Sequence, residues 1–279
     1  MKIVIIVLAF LFAGADKTSP SSLRAVGARP VLVAATAAYV ALAGTIVLNA
    51  RTDDERYTQL HKDLFSRYLS RDMRVLEVGY GPGINVERGY YPRGVHLVGL
   101  DPNLASYDPH GDTAGAATNA KAAFDLQAAT GASNGIVLEA LVQGVGEALP
   151  FPDASFDAAV GTLVLCTVRD PTQTIAEIAR VLRPGGVFLC VEHVLADAEG
   201  AQVGQAASEA LGSVDRLLAT QQRVLTPLQV LLANGCHLDR RTDLLLSPPN
   251  DFSQVMEMRY ETFASQYPIS KQVFGALKK

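Results

Sequence analysis

Short apolar segments alternate with helix-type segments along residues 73–194. Each apolar run is short and bounded by Gly, Pro or Asp, which is typical of buried strands; the five runs are 74–79, 95–101, 135–142, 156–165 and 186–194. Between the last two, apolar residues recur at helical spacing after Asp170-Pro171, and Pro184-Gly185-Gly186 ends the pattern. This alternation predicts an α/β fold with a parallel sheet covered on both faces.

Apolar residues also recur at helical spacing before and after this region. Residues 53–70 form an amphipathic pattern that begins with a capping box at Thr52 and Glu55. His61 shares the apolar face, either as a packed histidine or as a residue of a substrate pocket. Residues 203–223 form a second amphipathic pattern, either a surface helix or a wall of the acceptor pocket. The pattern from Thr226 to Gly235 predicts a separate last helix, with Thr226 as its cap.

Two apolar runs open the chain. Residues 3–15 follow a short basic start and end in Ala13-Gly14-Ala15, so residues 1–15 have the form of a signal peptide. Residues 30–50 carry no charge over a length that crosses a bilayer as a helix. They predict a retained transmembrane helix, with a buried core helix or an organelle transit sequence as the alternatives.

Charge and cysteine content narrow the class of function. Residues 1–50 carry a net charge of +3 and residues 51–279 carry −7, so the folded part is a poor candidate for binding nucleic acid. The three cysteines match no zinc spacing, and no metal site is predicted. Each cysteine is expected to be a small buried residue in a reducing compartment.

A glycine-rich turn follows the first strand as Gly79-Tyr80-Gly81-Pro82-Gly83, and Asp101 ends the second strand. Such a turn lets a ligand approach the backbone, and the carboxylate can accept ribose hydroxyl protons. A pyrophosphate-binding turn would carry its third glycine at the position of Ile84, so a nucleoside ligand without pyrophosphate fits better.

Four ordered motifs, VLEVGYGPG, VGLDPN, GEALPFPDASFDAAVG and ARVLRPGGVFL, resemble those of class I S-adenosylmethionine-dependent methyltransferases. The resemblance implies a Rossmann-like, seven-stranded mixed sheet whose last two strands, near Phe252–Phe263 and Ser270–Leu277, form an antiparallel hairpin. It also implies S-adenosyl-L-methionine as the cofactor, bound by a methyltransferase domain over residues 51–279.

Carried over by position, the resemblance implies three groups of cofactor contacts. Glu77, Gly79, Tyr80, Gly81 and Gly83 would line the methionine part, Asp101 would hold the ribose, and Thr162 and Leu163 would face the methyl group. The adenine would lie between Pro102 and Asn103 on one side and Gly146 and Glu147 on the other. Many relatives have Asp where this chain has Val145, so backbone groups of Gly146 would serve instead.

Three segments, GTLVLCTV, RVLRPGGVFLCVEHV and LLANGCHLDRRT, resemble the membrane-anchored methyltransferase-like seven family, which is associated with S-methylation of small alkyl thiols. The second N-terminal apolar run and the insertion at residues 104–134 depart from that family. A thiol is partly ionised at neutral pH, so no strong general base is required.

His193, after Glu192 at the end of the fifth strand, is the candidate base or orienting group, with Thr162 beside the methyl position. Alternatively, Glu192 and His193 bond to backbone or to each other and hold a lid in place.

The expected activity is methyl transfer to a small lipophilic thiol at a membrane surface. The alternatives are O- or C-methylation of a lipid or quinone, and a non-catalytic membrane-associated scaffold. The resemblance favours the endoplasmic reticulum or another endomembrane with the domain facing the cytosol, with a plastid or mitochondrion as the alternative. Neither the acceptor nor the oligomeric state follows from the sequence.

Overall fold

A computed structural model describes residues 53–104, 118–196, 208–248 and 250–279. These ranges fall within one compact unit that covers Asn49–Lys279. The signal-type segment 1–15, the predicted span 30–50 and the cap residue Thr52 lie outside the described residues. Among the described residues, no helix has both the length and the apolar character that crossing a membrane requires.

Seven strands form one mixed sheet in the order β3-β2-β1-β4-β5-β7-β6. The strands are β1 Arg74–Val78, β2 His96–Asp101, β3 Val137–Gln143, β4 Phe156–Thr162, β5 Leu182–His193, β6 Gln254–Thr262 and β7 Lys271–Lys278. The first five strands pair in parallel, whereas β7 is antiparallel to both β5 and β6. The predicted strands, the mixed sheet and the antiparallel hairpin are therefore confirmed.

One helix precedes β1, and the other helices lie in the connections between strands. They are α1 at residues 53–68, α2 Ile84–Glu87, α3 Thr118–Ser133, α4 Pro171–Val181, α5 Ser208–Leu232 and α6 Thr242–Leu245. The predicted start of α4 is confirmed, because the Asp170 side chain accepts a hydrogen bond from the Gln173 amide at 3.0 Å. The insertion after β2 contains α3, a helix that the sequence analysis did not identify.

The predicted division before Thr226 is wrong, because α5 continues without a break through Pro227. The Thr226 hydroxyl does not cap a helix start but donates to the Gln222 carbonyl oxygen at 2.8 Å, one turn back. A hydroxyl bonded in this way is compatible with a helix interior, and the proline removes only one backbone donor. Residues 208–232 are therefore one helix.

The core has two parts, one on each face of the sheet. Leu76 and Val78 of β1 pack in one cluster with α4, whereas Val75 packs in the other with Phe65 of α1. Because both faces of β1 are buried, its sequence is a nearly continuous apolar run, as expected for a central parallel strand. The exception is Glu77, a carboxylate buried within this strand.

His61 of α1 is fully buried in the second cluster. Its Nδ1 lies 2.9 Å from the Tyr57 carbonyl oxygen, and its ring stacks on Tyr90 with centroids 4.5 Å apart. Burial lowers the pKa of His61 to about 4. Of the two predicted alternatives, the structure shows the packed histidine.

Candidate active site

The glycine-rich turn crosses from β1 towards β2 at the carboxyl edge of the sheet. The amides of Gly79 and Tyr80 both donate to the Leu100 carbonyl oxygen, at 2.8 and 3.0 Å. Gly79, Gly81 and Gly83 all have positive φ angles, of 74°, 53° and 80°. Only glycine adopts this run of left-handed conformations without strain, so the turn depends on all three.

Two of these glycines differ in what a side chain would meet. A β-carbon on Gly79 would lie 2.7 Å from Val164 Cγ2, whereas one on Gly81 would meet nothing closer than 3.9 Å. Gly79 is therefore required for packing against the loop after β4. Gly81 leaves open space at the surface of the turn, where a ligand can approach the backbone.

Glu77 lies at the base of the turn with only 2% of its surface exposed. Its Oε1 accepts a hydrogen bond from Asn85 Nδ2 at 2.8 Å, and its Oε2 accepts one from the Tyr91 hydroxyl at 2.6 Å. Burial raises the pKa of Glu77 to about 7, although both hydrogen bonds act in the opposite direction. A positive charge nearby would strongly stabilise the ionised form of a carboxylate held in this way.

Asp101 occupies the end of β2, opposite the turn. Its Oδ2 accepts from the Gly81 amide at 3.0 Å and its Oδ1 from the Asn103 amide at 2.8 Å. An ionised carboxylate has about four acceptor positions, so two remain for hydroxyl groups of a ribose. The acceptor chemistry of Asp101 and the open side of Gly81 both fit a nucleoside ligand.

A cavity of about 260 Å³ opens beside the turn. It is lined by Asp54, Tyr57, Glu77, Gly79, Tyr80, Gly81, Pro82, Ile84, Asn85, Arg88, Tyr90, Thr162, Leu163 and Gln266. Six of the predicted cofactor contacts lie in this lining: Glu77, Gly79, Tyr80, Gly81, Thr162 and Leu163. The structure thus places the end of β1 and the end of β4 at one cavity, as adjacent parallel strands require.

The loop after β4 forms one wall of the cavity. The Thr162 hydroxyl lies 3.1 Å from Asn85 Nδ2, which also donates to Glu77. Leu163 follows with a positive φ of 54°, which is unusual for a branched residue. The wall therefore contains a strained residue that other contacts must hold.

Glu192 holds this loop from the neighbouring strand. Its Oε1 accepts hydrogen bonds from the amides of Val164 and Leu165, both at 2.9 Å, and the side chain is completely buried. Burial raises the pKa of Glu192 to about 8. Of the sequence alternatives for Glu192, the geometry matches the one in which it bonds to backbone and fixes a loop.

His193 is not among the residues that line the cavity. Its Nε2 lies 3.2 Å from Cys236 Sγ, and the side chain is buried. A catalytic role for His193 stays a prediction, and its described contacts are structural.

The remaining predicted contacts surround the cavity without lining it. Gly83 precedes α2, and Pro102 accepts a hydrogen bond from Gln143 Nε2 at 3.0 Å. A β-carbon on Gly146 would lie 2.8 Å from the Thr174 side chain, so this glycine allows the loop to approach α4. The Glu147 Oε1 accepts from the Arg169 amide at 2.6 Å and anchors the loop before α4.

Several residues that position the site were not identified from the sequence. Asn85 and Tyr91 hold Glu77, and Gln127 of α3 contacts both the Tyr80 hydroxyl at 3.2 Å and the Pro82 carbonyl at 3.0 Å. Arg88 at the cavity wall pairs with Asp54 at 2.6 Å. No spacing rule identifies these residues: Asn85 and Arg88 belong to α2 and its C-cap, Tyr91 to the loop after α2, and Gln127 to α3.

The sheet order, the glycine-rich turn and a carboxylate at the end of each of the first two strands define a nucleoside-binding α/β enzyme. A family model described as a methyltransferase domain matches residues 50–236. The chain belongs to the class I S-adenosyl-L-methionine-dependent methyltransferases, and S-adenosyl-L-methionine is its methyl donor.

Among characterised relatives, thiol S-methyltransferase TMT1B of Rattus norvegicus is 32% identical over 189 residues, which are 67% of this chain and 62% of the relative. The chain thus spans less than two thirds of that protein. Thiol S-methyltransferase TMT1B of Homo sapiens is 29% identical over 224 residues, 78% of each chain. Human thiol S-methyltransferase TMT1A is 29% identical over 195 residues, 68% of this chain and 66% of its own.

Solved structures share the fold at low sequence identity. An inferred methyltransferase of Bacillus halodurans aligns with a TM-score of 0.52 at 16% identity, covering 78% of this chain and 98% of its own. The 4+2 cyclase SpnF aligns with a TM-score of 0.51 at 18% identity, covering 80% of each chain. Both likenesses concern the fold alone.

Proposed function

We propose that this methyltransferase transfers the methyl group to the sulfur of a small lipophilic thiol. The observation that carries the proposal is the chemistry of the cavity lining. Among the described residues of the lining, the two carboxylates are already engaged, Asp54 by Arg88 and Glu77 by Asn85 and Tyr91, and none is a histidine. Such a cavity suits an acceptor that ionises without help.

A thiol meets this requirement better than a hydroxyl group does. A free thiol has a pKa of about 8.5, so a few per cent is thiolate at neutral pH, whereas a phenol with a pKa of about 10 needs a base. The rings of Tyr57 and Tyr90 in the lining offer an apolar surface that also suits a sulfur atom. The names of the relatives TMT1A and TMT1B support the same acceptor class.

The residues of this chain have separable tasks in the proposed reaction. When bound, S-adenosyl-L-methionine supplies an electrophilic methyl group on a sulfonium centre. Asp101 would hold the ribose and Glu77 the positively charged amino group. Thr162 and Leu163, which line the cavity, would lie beside the methyl group and help to exclude water there.

We also propose that the enzyme is tethered to a membrane, where lipophilic thiols concentrate. The support is the sequence of residues 1–50, with its two apolar runs and five charged residues. Carbonate extraction of membranes from cells that express the tagged full chain tests this tether. Release of the protein into the alkaline supernatant would contradict it.

An acceptor panel tests the proposed reaction. The purified full chain is incubated with isotopically labelled S-adenosyl-L-methionine and three acceptors with the same alkyl chain, namely a thiol, a phenol and a hydroquinone. We expect an S-methyl product from the thiol alone, identified by mass spectrometry. The matched pair Asp101→Ala, at the ribose position, and Asp153→Ala, on the exposed surface, separates site-dependent transfer from background.

The outcomes of this panel distinguish the acceptor classes. Methylation of the phenol or hydroquinone without methylation of the thiol would overturn the thiol assignment in favour of O- or C-methylation. Failure of the wild-type chain to bind S-adenosyl-L-methionine by calorimetry would favour a scaffold that retains the fold.

A further inference from the structure

Three side chains that the proposed reaction does not use meet in a buried cluster behind Leu163. Cys166 follows β4, His193 ends β5, and Cys236 follows α5. Their ligand-type atoms all lie within 4.8 Å of one another. We call Cys166, His193 and Cys236 the thiol cluster. The sequence spacing of the cysteines does not show it, because the three elements meet only in the fold.

Cys236 is the centre of this cluster. Its Sγ lies 3.2 Å from His193 Nε2, and the sulfur atoms of Cys236 and Cys166 lie within 4.8 Å of each other. The backbones also run side by side, since the His237 amide donates to the Cys166 carbonyl oxygen at 2.9 Å. This backbone hydrogen bond keeps the two cysteines adjacent.

The surroundings favour the ionised form of Cys236. The neighbouring Cys166 thiol lowers the pKa of Cys236, with a further contribution from His193, although burial acts in the opposite direction. The same pairing raises the pKa of Cys166, as do burial and the nearby Glu192. One thiol of the pair is thus set to react as a thiolate and the other to remain protonated.

Cys190 provides an internal contrast. It is completely buried in β5, its sulfur would lie 2.7 Å from a β-carbon on Gly275, and burial raises its pKa. Cys236 keeps 7% of its surface exposed, whereas Cys190 keeps none. The two cysteines therefore differ in both access and ionisation.

A structural metal is the other use for such a cluster. Structural zinc takes four protein ligands. Within the described ranges, no fourth His, Cys, Asp or Glu joins these three side chains. The contact between the two thiols is instead the arrangement that oxidation to a disulfide requires.

We propose that the thiol cluster is a redox modification site, in which peroxide converts Cys236 and Cys166 into a reversible disulfide. The thiol proton of Cys236 first passes to His193 Nε2. The thiolate then attacks one oxygen of hydrogen peroxide, the O–O bond breaks, and the leaving hydroxide takes the proton from His193 to form water. Cys236 is now a sulfenic acid.

The Cys166 thiol completes the reaction. Its sulfur attacks the sulfur of the sulfenic acid, the S–O bond breaks, and the departing hydroxide takes the thiol proton as a second water. Two thiols are oxidised and one peroxide is reduced, so atoms and electrons balance. External thiol reverses the change through a mixed disulfide.

The disulfide would act on the cavity through Leu163. The Cys166 sulfur lies 3.3 Å from the Leu163 carbonyl oxygen, and Leu163 packs against the thiol cluster while it lines the cavity. Drawing Cys166 towards Cys236 removes this contact and moves a loop that already contains a strained residue. We therefore expect oxidation to weaken ligand binding in the cavity.

Mass mapping of the oxidised protein tests the site without any acceptor, since a thiol acceptor would itself reduce the disulfide. The purified full chain is treated with stoichiometric hydrogen peroxide, quenched with catalase, alkylated and digested. We expect a peptide cross-link between Cys166 and Cys236, free alkylated Cys190, and complete reversal by dithiothreitol. In Cys166→Ser, dimedone should trap a sulfenic acid at Cys236, and Cys190→Ser should behave as the wild type.

Calorimetry with S-adenosylhomocysteine gives the functional readout. We expect binding to weaken roughly tenfold after oxidation, as loss of one contact and added loop strain would produce, and to recover on reduction. Absence of the cross-link in the oxidised wild type, or a cross-link to Cys190, would overturn the proposal. So would one equivalent of zinc that protects both cysteines from alkylation. None of these outcomes depends on which acceptor the enzyme methylates.

Discussion

Replacing Glu77 by glutamine should stabilise the folded protein and lower its affinity for the cofactor. The carboxylate is buried and its pKa is raised to about 7, whereas a glutamate in an unfolded chain has a pKa of about 4.3. Between these values the folded protein keeps a proton that the unfolded chain has released. Stability therefore falls as the pH rises through this interval, and the full loss is present above pH 7.

The magnitude follows from the same two values. A tenfold change in proton affinity corresponds to about 1.4 kcal/mol, so the buried carboxylate destabilises the fold without ligand by about 4 kcal/mol at pH 8 and by about 1 kcal/mol at pH 5. Glu77→Gln keeps the acceptor for Asn85 and removes the charge. We expect the unfolding free energy of the variant to be higher than that of the wild type by these amounts, so the difference is larger at pH 8 than at pH 5.

Urea unfolding followed by far-ultraviolet circular dichroism, at pH 5 and pH 8, measures the difference. Calorimetry with S-adenosylhomocysteine measures the second effect, and we expect at least tenfold weaker binding, since the charged hydrogen bond to the ligand amino group is lost. Glu87→Gln, the same change at an exposed position of α2, is the matched control and should change neither quantity appreciably. A difference in unfolding free energy that is the same at both pH values, or a variant less stable than the wild type, would refute the reasoning.

Three further outcomes are expected. Asp101→Ala should lower cofactor affinity by about 2–3 kcal/mol in calorimetry, because a carboxylate acceptor for the ribose is lost, and unchanged affinity would contradict the assignment. In urea unfolding, Gly81→Ala should lower the unfolding free energy by about 1 kcal/mol because of the positive φ at this position. Gly79→Ala should lower it clearly more, because its β-carbon would also lie 2.7 Å from Val164. Equal losses for the two variants would show that this clash does not matter. Burial lowers the pKa of His61 to about 4, so the unfolded chain takes up the histidine proton before the folded protein does as the pH falls below 6.5. The wild type should therefore lose about 3 kcal/mol of unfolding free energy between pH 6.5 and pH 4, and His61→Phe should abolish this loss. An unchanged dependence of unfolding free energy on pH in the variant would contradict the prediction.

The parts of the fold that depend on local pattern could be predicted from the sequence. The strand before Gly79, the glycine-rich turn and Asp101 follow from short apolar runs and turn residues, and they lie where the motifs indicate. The boundary at Thr226 could not be found in this way. Threonine followed by proline is typical of a helix start, but here packing carries α5 through both residues.

The supporting contacts of the site could not be predicted, because they join distant elements. Tyr91 reaches Glu77 from the loop after α2, and Gln127 reaches Tyr80 from a helix inside an insertion. The sequence placed Glu192 and His193 together at the sheet edge, but neither lines the cavity, since Glu192 bonds to the loop after β4 and His193 contacts Cys236. Which face belongs to the cavity depends on the loops that cover the sheet, and periodicity carries no information about that.

The double contact of Leu163 has a consequence for how such enzymes diversify. Leu163 lines the cavity and also packs against the thiol cluster, whereas Glu192 fixes the backbone of the following residues from another strand. A substitution at position 163 would therefore change the cavity wall and the buried packing behind it together, while the anchor on β5 stays in place. Acceptor range and stability are coupled at this residue, so a change of acceptor through position 163 would carry a cost in folding free energy.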